Sequence, residues 1–479
     1  MDRLDFFRKI EQAVTSKYMP LVEKAVAFAE KIHKGQKRLT GEDYVEHPLR
    51  STLILAEWKL DPDTIVAGIL HDVLEDSNTT VDEIEKSFGK NIAFLVEGVT
   101  KLGRLSYQGR ERYAESLRKL FIAMSSDIRV IMIKIADRLD NIKTLHVFET
   151  SKQLRIARET LEIYAPIANR LGMGEIKGQL EDLAFPIAQK RDYLKLKELV
   201  KETYGSQEKL VNKKVIPQIK KILKKVNINV IDIHGRAKRL YSLYKKLKKY
   251  DNDLSRIHDI IAVRIIVPDV SSCYTALGAI HSECAPIKGR IKDYIAQPKP
   301  NGYRSLHTDI FCLDNRIVEI QIRDQEMHHA AEFGIAAHWN YVETGKPKKG
   351  TPVKKRLEWI NHLMQWQKSI ADNDKYIEGL KIDIFKNRIF IFTPKGDVID
   401  LPENSTPIDF AYAIHTDLGN HTTGAKINEK IGKLTSTLQN GDLVEIIKSK
   451  NRKKPSRDWL NHIQTHRART GIIAQLNKK

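Results

Sequence analysis

Cysteine is scarce in this chain: Cys273, Cys284 and Cys312 are the only three among 479 residues, with no C-x-x-C pair and no even set. That excludes a disulfide framework and fits a reducing compartment, so a cytoplasmic protein is expected. No run of about eighteen apolar residues occurs, which excludes a membrane-spanning helix and a membrane partner. The opening residues Met1-Asp-Arg-Leu-Asp carry charge throughout and lack the apolar core of a secretory signal. Acidic residues are in deficit, 61 Asp and Glu against 81 Lys and Arg, for a formal charge of +20. Such a balance favours polyanionic partners (nucleotides, RNA or a ribosome), although charge alone fits a solvated basic surface equally well. Hydrophobic content of 41% is ordinary, and the length suits about two to four domains.

Residues 1 to about 190 read as consecutive helices. Leu21, Ala25, Phe28, Ala29 and Ile32 recur at helical spacing, and Pro48, Pro62 and Pro166 punctuate the region. Residues 190–226 read as a basic helical connector. The character then changes. Residues 260–267 are a β-branched run of strand length, and residues 316–323 alternate. Val318, Ile320 and Ile322 fall on one face of that second strand. Glu319, Gln321 and Arg323 fall on the other, which is available for chemistry. A Lys/Pro/Gly stretch at 345–352 is a linker by composition. Residues 383–447 carry two short strand patterns, 388–392 and 443–447, with the turn signals Pro394-Lys-Gly396 and Asn440-Gly-Asp442. The tail from Lys448 is basic.

The first chemistry-bearing set is His47, the adjacent His71 and Asp72, and Asp137. Two imidazoles and two carboxylates suit a borderline divalent cation such as Mn²⁺, Fe²⁺ or Zn²⁺. If His71 to Asp76 are helical, His71 and Glu75 share one stripe and Asp72 and Asp76 the next. One stripe can then hold a metal while the other positions water.

These motifs, His33-Lys-Gly-Gln-Lys-Arg38, His47-Pro48, His71-Asp72-Val-Leu-Glu75-Asp76 and Ala136-Asp137-Arg138, resemble the HD phosphohydrolase domain of the RelA/SpoT homologues, the enzymes of the alarmone (p)ppGpp. The resemblance implies that His47, His71, Asp72 and Asp137 hold a metal, usually Mn²⁺. It implies further that Glu75 and Asp76 serve the water attack that removes the 3′-pyrophosphate. Arg38 would pack on the guanine, with Asn141 and Thr144 near the nucleotide. Asp140 departs from the pattern, where the family commonly has His.

A second set lies downstream. Gly235-Arg236-Ala-Lys238 and the cations to Lys246 read as partly sharing a helix face, which alone is a solvated basic helix. Asp259 precedes the first strand, Arg264 lies inside it, and Glu319 projects from the second. Two carboxylates on neighbouring strands make a Mg²⁺ clamp for a triphosphate. Between them Lys288 to His307 is a cationic, Gly/Pro-kinked loop with an aromatic, suited to phosphates and one stacked base.

Asp259-Ile-Ile-Ala-Val-Arg264, Pro298-Lys-Pro-Asn-Gly-Tyr303 and Glu319-Ile-Gln-Ile-Arg323 resemble the synthetase domain of the same family. The resemblance implies that Asp259 and Glu319 bind Mg²⁺, with Glu319 also activating the acceptor 3′-hydroxyl. Tyr303 would stack on guanine, and Arg236 and Arg264 would flank adenine. Lys238, Lys246, Lys299 and His307 would handle phosphates, and Ser242, Lys292 and Asn301 would belong to the same nucleotide-binding set. Residues 383–447 resemble a TGS domain, which in the family can meet the CCA end of uncharged tRNA on a ribosome. The Gly-His pair of that contact reads Gly419-Asn420-His421 here. The chain stops at Lys479, short of the family's zinc-finger-like and ACT domains, so a truncated or naturally short member is expected.

The expected architecture is therefore multidomain. An all-α HD hydrolase covers 1–190, and an α+β nucleotidyltransferase-like synthetase covers 191–345. A linker and helix (346–382), a β-grasp TGS domain (383–447) and a basic tail follow. The expected function is bifunctional: pyrophosphate transfer from ATP to the 3′-oxygen of GDP or GTP, and its hydrolytic removal, reciprocally regulated across 190–226. A hydrolase-dominant member and a ribosome or tRNA sensor with vestigial catalysis are the competing readings.

Overall fold

The computed structural model describes residues 1–103, 110–253, 261–299, 301–312, 316–341, 388–395, 397–439, 441–449 and 454–477. The chain divides into two compact units, residues 1–105 with 119–364, and residues 106–118 with 365–479.

In the first unit the N-terminal part is helical, as expected. Helix Pro62–Leu70 begins at an Asp61 cap, whose carboxylate accepts from Thr64 N at 3.2 Å, with proline in the first turn. Residues 64 to 70 are all buried, so this helix is a central pillar rather than an amphipathic surface element. Gly68 lets it lie against helix Glu46–Glu57: a Cβ there would stand 2.6 Å from Leu55 Cδ1. Helix Ile128–Lys143 starts on the Asp127 cap and buries Ile131, Ile135 and Asp137 on its inner side.

The helix expected across His71 to Asp76 is not there. It ends at Leu70, and residues 71–76 form consecutive turns. The reason is local. His71 Nδ1 donates to the Gly68 carbonyl at 2.7 Å, leaving one fewer lone pair for a continuing helical ladder. The Asp76 amide still reaches the Asp72 carbonyl at 3.0 Å, so the turns stay compact.

The mixed part is a five-stranded sheet of β1 (Asp232–Ala237), β2 (Ile261–Val267), β3 (Lys292–Asp293), β4 (Leu306–Cys312) and β5 (Arg316–Asp324), in the order β1-β2-β5-β4-β3. Only β2 and β5 pair in parallel. The apolar face carries Val263, Ile265, Ile320 and Ile322. Helices Ile216–Lys225 and Val270–Glu283 contribute Ile219, Ile222, Leu223, Ala276 and Ile280 to the same core. The basic connector is thus a wall of this domain, not a free spacer.

The second unit holds β6 (Arg388–Phe392) paired with β7 (Val398–Pro402). It also holds a sheet of β8 (Thr422–Ile427), β9 (Lys430–Gly432) and β10 (Val444–Lys448) in the order β10-β8-β9. Helix Pro407–Ile414 packs Phe410 against Ile391, Leu401 and Val444. Residues 454–477 of the expected basic tail pack into this unit. Trp459, Ile463 and Ile472 pack on Ile408 and Tyr412, and buried Asp409 accepts from the Gln464 and Thr465 amides. The linker expected at 345–352 lies outside the described residues.

Candidate active sites

His47 comes from the first turn of helix Glu46–Glu57, His71 and Asp72 from the turn after helix Pro62–Leu70, and Asp137 from the third turn of helix Ile128–Lys143. Tertiary packing brings all four together. One ligand atom each from His47, His71 and Asp137 lies within 4.8 Å of the others. Asp72 joins them, its Oδ2 3.7 Å from His47 Nε2 and its Oδ1 3.2 Å from His71 Nε2.

The donor chemistry fits a cation. A carbonyl can only accept, so His71 Nδ1 carries the hydrogen and Nε2 the lone pair. That buried Nε2 has no hydrogen-bond partner among the described residues. An orphaned buried acceptor beside two carboxylates is costly unless something positive fills the gap. His47 shows the same demand. Burial alone would lower its pKa, but Asp137, Asp140 and Asp72 raise it to about 9. Asp137 is held well below the usual carboxylate range: burial opposes this, and Lys134 (2.7 Å) and His47 (3.1 Å) outweigh it.

The other expected residues ring this centre. Tyr44 donates to Asp76 Oδ2 at 2.7 Å. Glu75 lies at the rim, its carboxyl pushed up by the protein around it, with Lys134 opposing and Asp72 and Asp76 adding to the rise. Arg38 donates to Asn141 Oδ1 at 2.6 Å, and the Asn141 amide donates to Asp137. Thr144 caps helix Ile128–Lys143, its Oγ1 bonding the Asn141 carbonyl at 3.2 Å. Sequence reasoning missed Lys134, Glu42 and Arg50, and it saw Asp140 only as a departure. Asp140 is buried between His47 (2.8 Å) and Arg50 (2.9 Å). Burial opposes ionisation, but these two partners hold its carboxyl down to about 2.

The second site is built by strand register. Directly opposed residues lie on one face of a sheet, and across β1, β2, β5, β4 and β3 the row reads His234, Arg264, Gln321, His307, Lys292. The neighbouring row reads Arg236, Ala262, Glu319, Asp309. Residues far apart in sequence thus form one polar face. On the Glu319 face Gln321, Arg264 and Arg323 are buried, Arg323 completely. The helix face expected for Gly235 to Lys246 needs correction. Arg236 lies on β1 and Lys238 just beyond its end, while Ser242 and Lys246 lie on helix Leu240–Lys249. The cross-strand pairing to β2 keeps the first residues extended.

On this face Tyr303, His307 and Glu319 form a chain. Tyr303 Oη is 2.8 Å from His307 Nε2, and His307 Nδ1 is 2.8 Å from Glu319 Oε1. A phosphate contact from His307 therefore requires one of these bonds to be exchanged. Lys299 lies over the Tyr294 and Tyr303 rings at 4.5 and 5.0 Å. Burial, with Lys292 adding to it, lowers its pKa to about 8. Asn301 accepts from the Tyr303 amide at 3.2 Å and shapes the loop. Arg264 is lowered to about 10 by burial, then by Arg323 and Arg236, with Glu332 at 3.0 Å opposing. Beside Arg236, Lys238 and Arg264 opens a cavity of about 510 Å³. Asp259 lies outside the described residues.

Comparison with known proteins bears on both sites. Residues 25–174 match the HD domain, residues 235–346 the region found in RelA / SpoT proteins, and residues 389–448 the TGS domain. The chain belongs to the RelA/SpoT family. It is 46% identical over 458 residues to a guanosine-3′,5′-bis(diphosphate) 3′-pyrophosphohydrolase of Aquifex aeolicus, covering 96% of this chain and 65% of that protein. It is 45% identical to a GTP pyrophosphokinase of Myxococcus xanthus (95% and 60% covered). It is 41% identical to the bifunctional (p)ppGpp synthase/hydrolase SpoT of Escherichia coli K12 (97% and 66% covered). The chain thus spans just under two thirds of the length of these RelA/SpoT relatives. No helix among the described residues is long and apolar enough to cross a membrane.

Proposed function

We propose that this RelA/SpoT family member is a bifunctional alarmone enzyme, with a hydrolase at 1–190, a synthetase at 191–345 and a TGS domain at 383–447. The observation that carries the reading is the convergence of His47, His71, Asp72 and Asp137 around an unpartnered imidazole nitrogen, in the same unit as the Tyr303-His307-Glu319 chain.

In the hydrolase, His47, His71, Asp72 and Asp137 would hold a divalent cation, of which Mn²⁺ is our choice. Such an ion lowers the pKa of water and offsets charge on a phosphate. The protein's own groups do the rest. Arg38, aimed by Asn141, packs on the guanine. Glu75 and Asp76 orient the attacking water and take its proton, with Asp76 fixed by Tyr44. The bond from the 3′-oxygen to the pyrophosphoryl group breaks, releasing pyrophosphate and GDP or GTP.

In the synthetase, Tyr303 stacks on the guanine of GDP or GTP and Asn301 sets the loop that carries it. Arg236 and Arg264 flank the adenine of ATP at the mouth of the 510 Å³ cavity. Lys238, Ser242, Lys246, Lys292 and Lys299 meet the phosphates and ribose, and Glu319 with Asp259 would hold Mg²⁺. The 3′-oxygen attacks the β-phosphate of ATP and loses its proton to Glu319 while AMP departs. The barrier falls chiefly through alignment and neutralisation of phosphate charge. TGS contact with tRNA on a ribosome, and a cytoplasmic location, belong to the same proposal.

Two incubations test it: ATP with GDP and Mg²⁺, and separately ppGpp with Mn²⁺. Formation of AMP and ppGpp in the first, and pyrophosphate release in the second, are expected. A chain active only in the second is hydrolase-dominant, and one active in neither refutes the assignment.

A further inference from the structure

We infer that Asp140 is a positioning residue for the hydrolase centre: its carboxylate locks the His47 ring so that Nε2 faces Asp137 and His71. The inference rests on the reading of His47, His71, Asp72 and Asp137 as cation ligands.

The two imidazoles of the centre reach the same state by different routes. His71 is fixed by main chain, its Nδ1 hydrogen on the Gly68 carbonyl at 2.7 Å. Among the described residues no carbonyl bonds the His47 ring. Its Nδ1 lies 2.8 Å from Asp140 Oδ2 instead. Arg50 Nε donates to both Asp140 oxygens, at 2.9 and 3.2 Å, which keeps the group an ionised acceptor. The hydrogen therefore sits on His47 Nδ1. In the neutral ring the lone pair falls on Nε2, 3.1 Å from Asp137 Oδ1 and 3.7 Å from Asp72 Oδ2.

Asp140 is itself held firmly. It is 2% exposed. Arg50 ties it to Glu42 by two further bonds of 2.8 and 2.7 Å. The resulting string Glu42, Arg50, Asp140, His47 alternates in charge and runs from the loop after the first long helix into the centre. A histidine at position 140, which the family resemblance leads one to expect, would present no negative charge to Arg50. It would accept from His47 only in one tautomer. The Asp140, Arg50 and Glu42 set is thus this chain's own means of doing what a second-layer carboxylate does for a metal-bound imidazole. It selects the tautomer, fixes the ring plane and strengthens the donor.

The experiment uses the full chain, stripped of metal and titrated with Mn²⁺ alone, as the parent protein, as Asp140→Asn and as Asp140→Leu. Asn keeps the shape and loses the charge. Pyrophosphate transfer from ATP to GDP serves as the fold check, since Asp140 takes no part in the synthetase site. Both variants should bind Mn²⁺ roughly 10–100-fold more weakly, with synthesis unchanged. In the Zn²⁺-loaded protein the slowly exchanging Nδ1 proton of His47 should vanish from the nitrogen–proton spectrum of Asp140→Leu, while that of His71 stays. A purely structural role for Asp140 would not remove one imidazole proton and spare the other. Mn²⁺ affinity within about twofold of the parent in Asp140→Asn, with the His47 proton retained in Asp140→Leu, overturns the inference. A parent chain that binds neither metal refutes the ligand reading itself, a different result.

Discussion

The two sites of the first unit are opposite in charge logic. Around the hydrolase centre the carboxylates Glu42, Asp72, Glu75, Asp76, Asp137 and Asp140 outnumber the cations Arg38, Arg50, Lys134 and Arg138. The surplus is negative, and it pushes His47 up to about 9 against the effect of burial. On the synthetase face the surplus is positive. All three guanidinium nitrogens of buried Arg323 lack hydrogen-bond partners among the described residues. Burial, with Arg323 and Arg264 beside it, pushes His328 down to about 4. An uncompensated buried charge costs several kcal/mol, so the opposite surpluses fit the cation and the polyanionic nucleotides proposed for the two sites.

The comparison breaks most visibly if one ligand is removed. His71→Ala should cut ppGpp hydrolysis on the order of 10³-fold or more and leave synthesis intact, since a bound ion supplies several kcal/mol of transition-state stabilisation. Both initial rates should be measured on one preparation; a parallel fall in synthesis would mean that the two sites are not separate. The reciprocal change is Glu319→Gln, which should lower synthesis by roughly 10²–10³-fold without touching hydrolysis. Normal synthesis in that variant, or in Asp259→Asn, removes the acidic-clamp assignment.

A smaller effect sharpens the aromatic part. Base stacking contributes roughly 1–3 kcal/mol. Tyr303→Ala should therefore raise the KM for GDP about 5- to 150-fold, with the KM for ATP unmoved. The smallest effect is in pH. Lys299, lowered to about 8 by burial and Lys292, is cationic below that value and neutral above it. As a phosphate ligand it serves only as the cation, so kcat/KM for synthesis should fall as pH rises through about 8. Lys299→Arg should flatten that limb; an identical profile would assign the titration elsewhere.

Much of this was legible beforehand, and the failures share a cause. The helical half declared itself through periodic Leu, Ala and Ile, and β2 and β5 through β-branched runs. His47, His71, Asp72 and Asp137 were legible as metal-ligand types. The turn at 71–76 was not, because a side-chain bond from His71 to a carbonyl three residues back overrode an apolar pattern that looked helical. The burial of Arg323 was not legible either, since alternation tells two faces apart without saying what covers each. The helix expected at Gly235 is a strand because pairing with β2 decides it. Asp140 stood out only against a family pattern, and its partners His47 and Arg50 lie about ninety residues away in sequence.

Residue types and local spacing marked the side chains able to carry chemistry, because ligand identity and short-range periodicity are properties of the chain itself. Packing and register decided which of them meet. Gly68 lets two helices close until His47 and His71 face each other, and strand pairing lines up His234, Arg264, Gln321 and His307. Such contacts span tens to about a hundred residues, and no local rule encodes them.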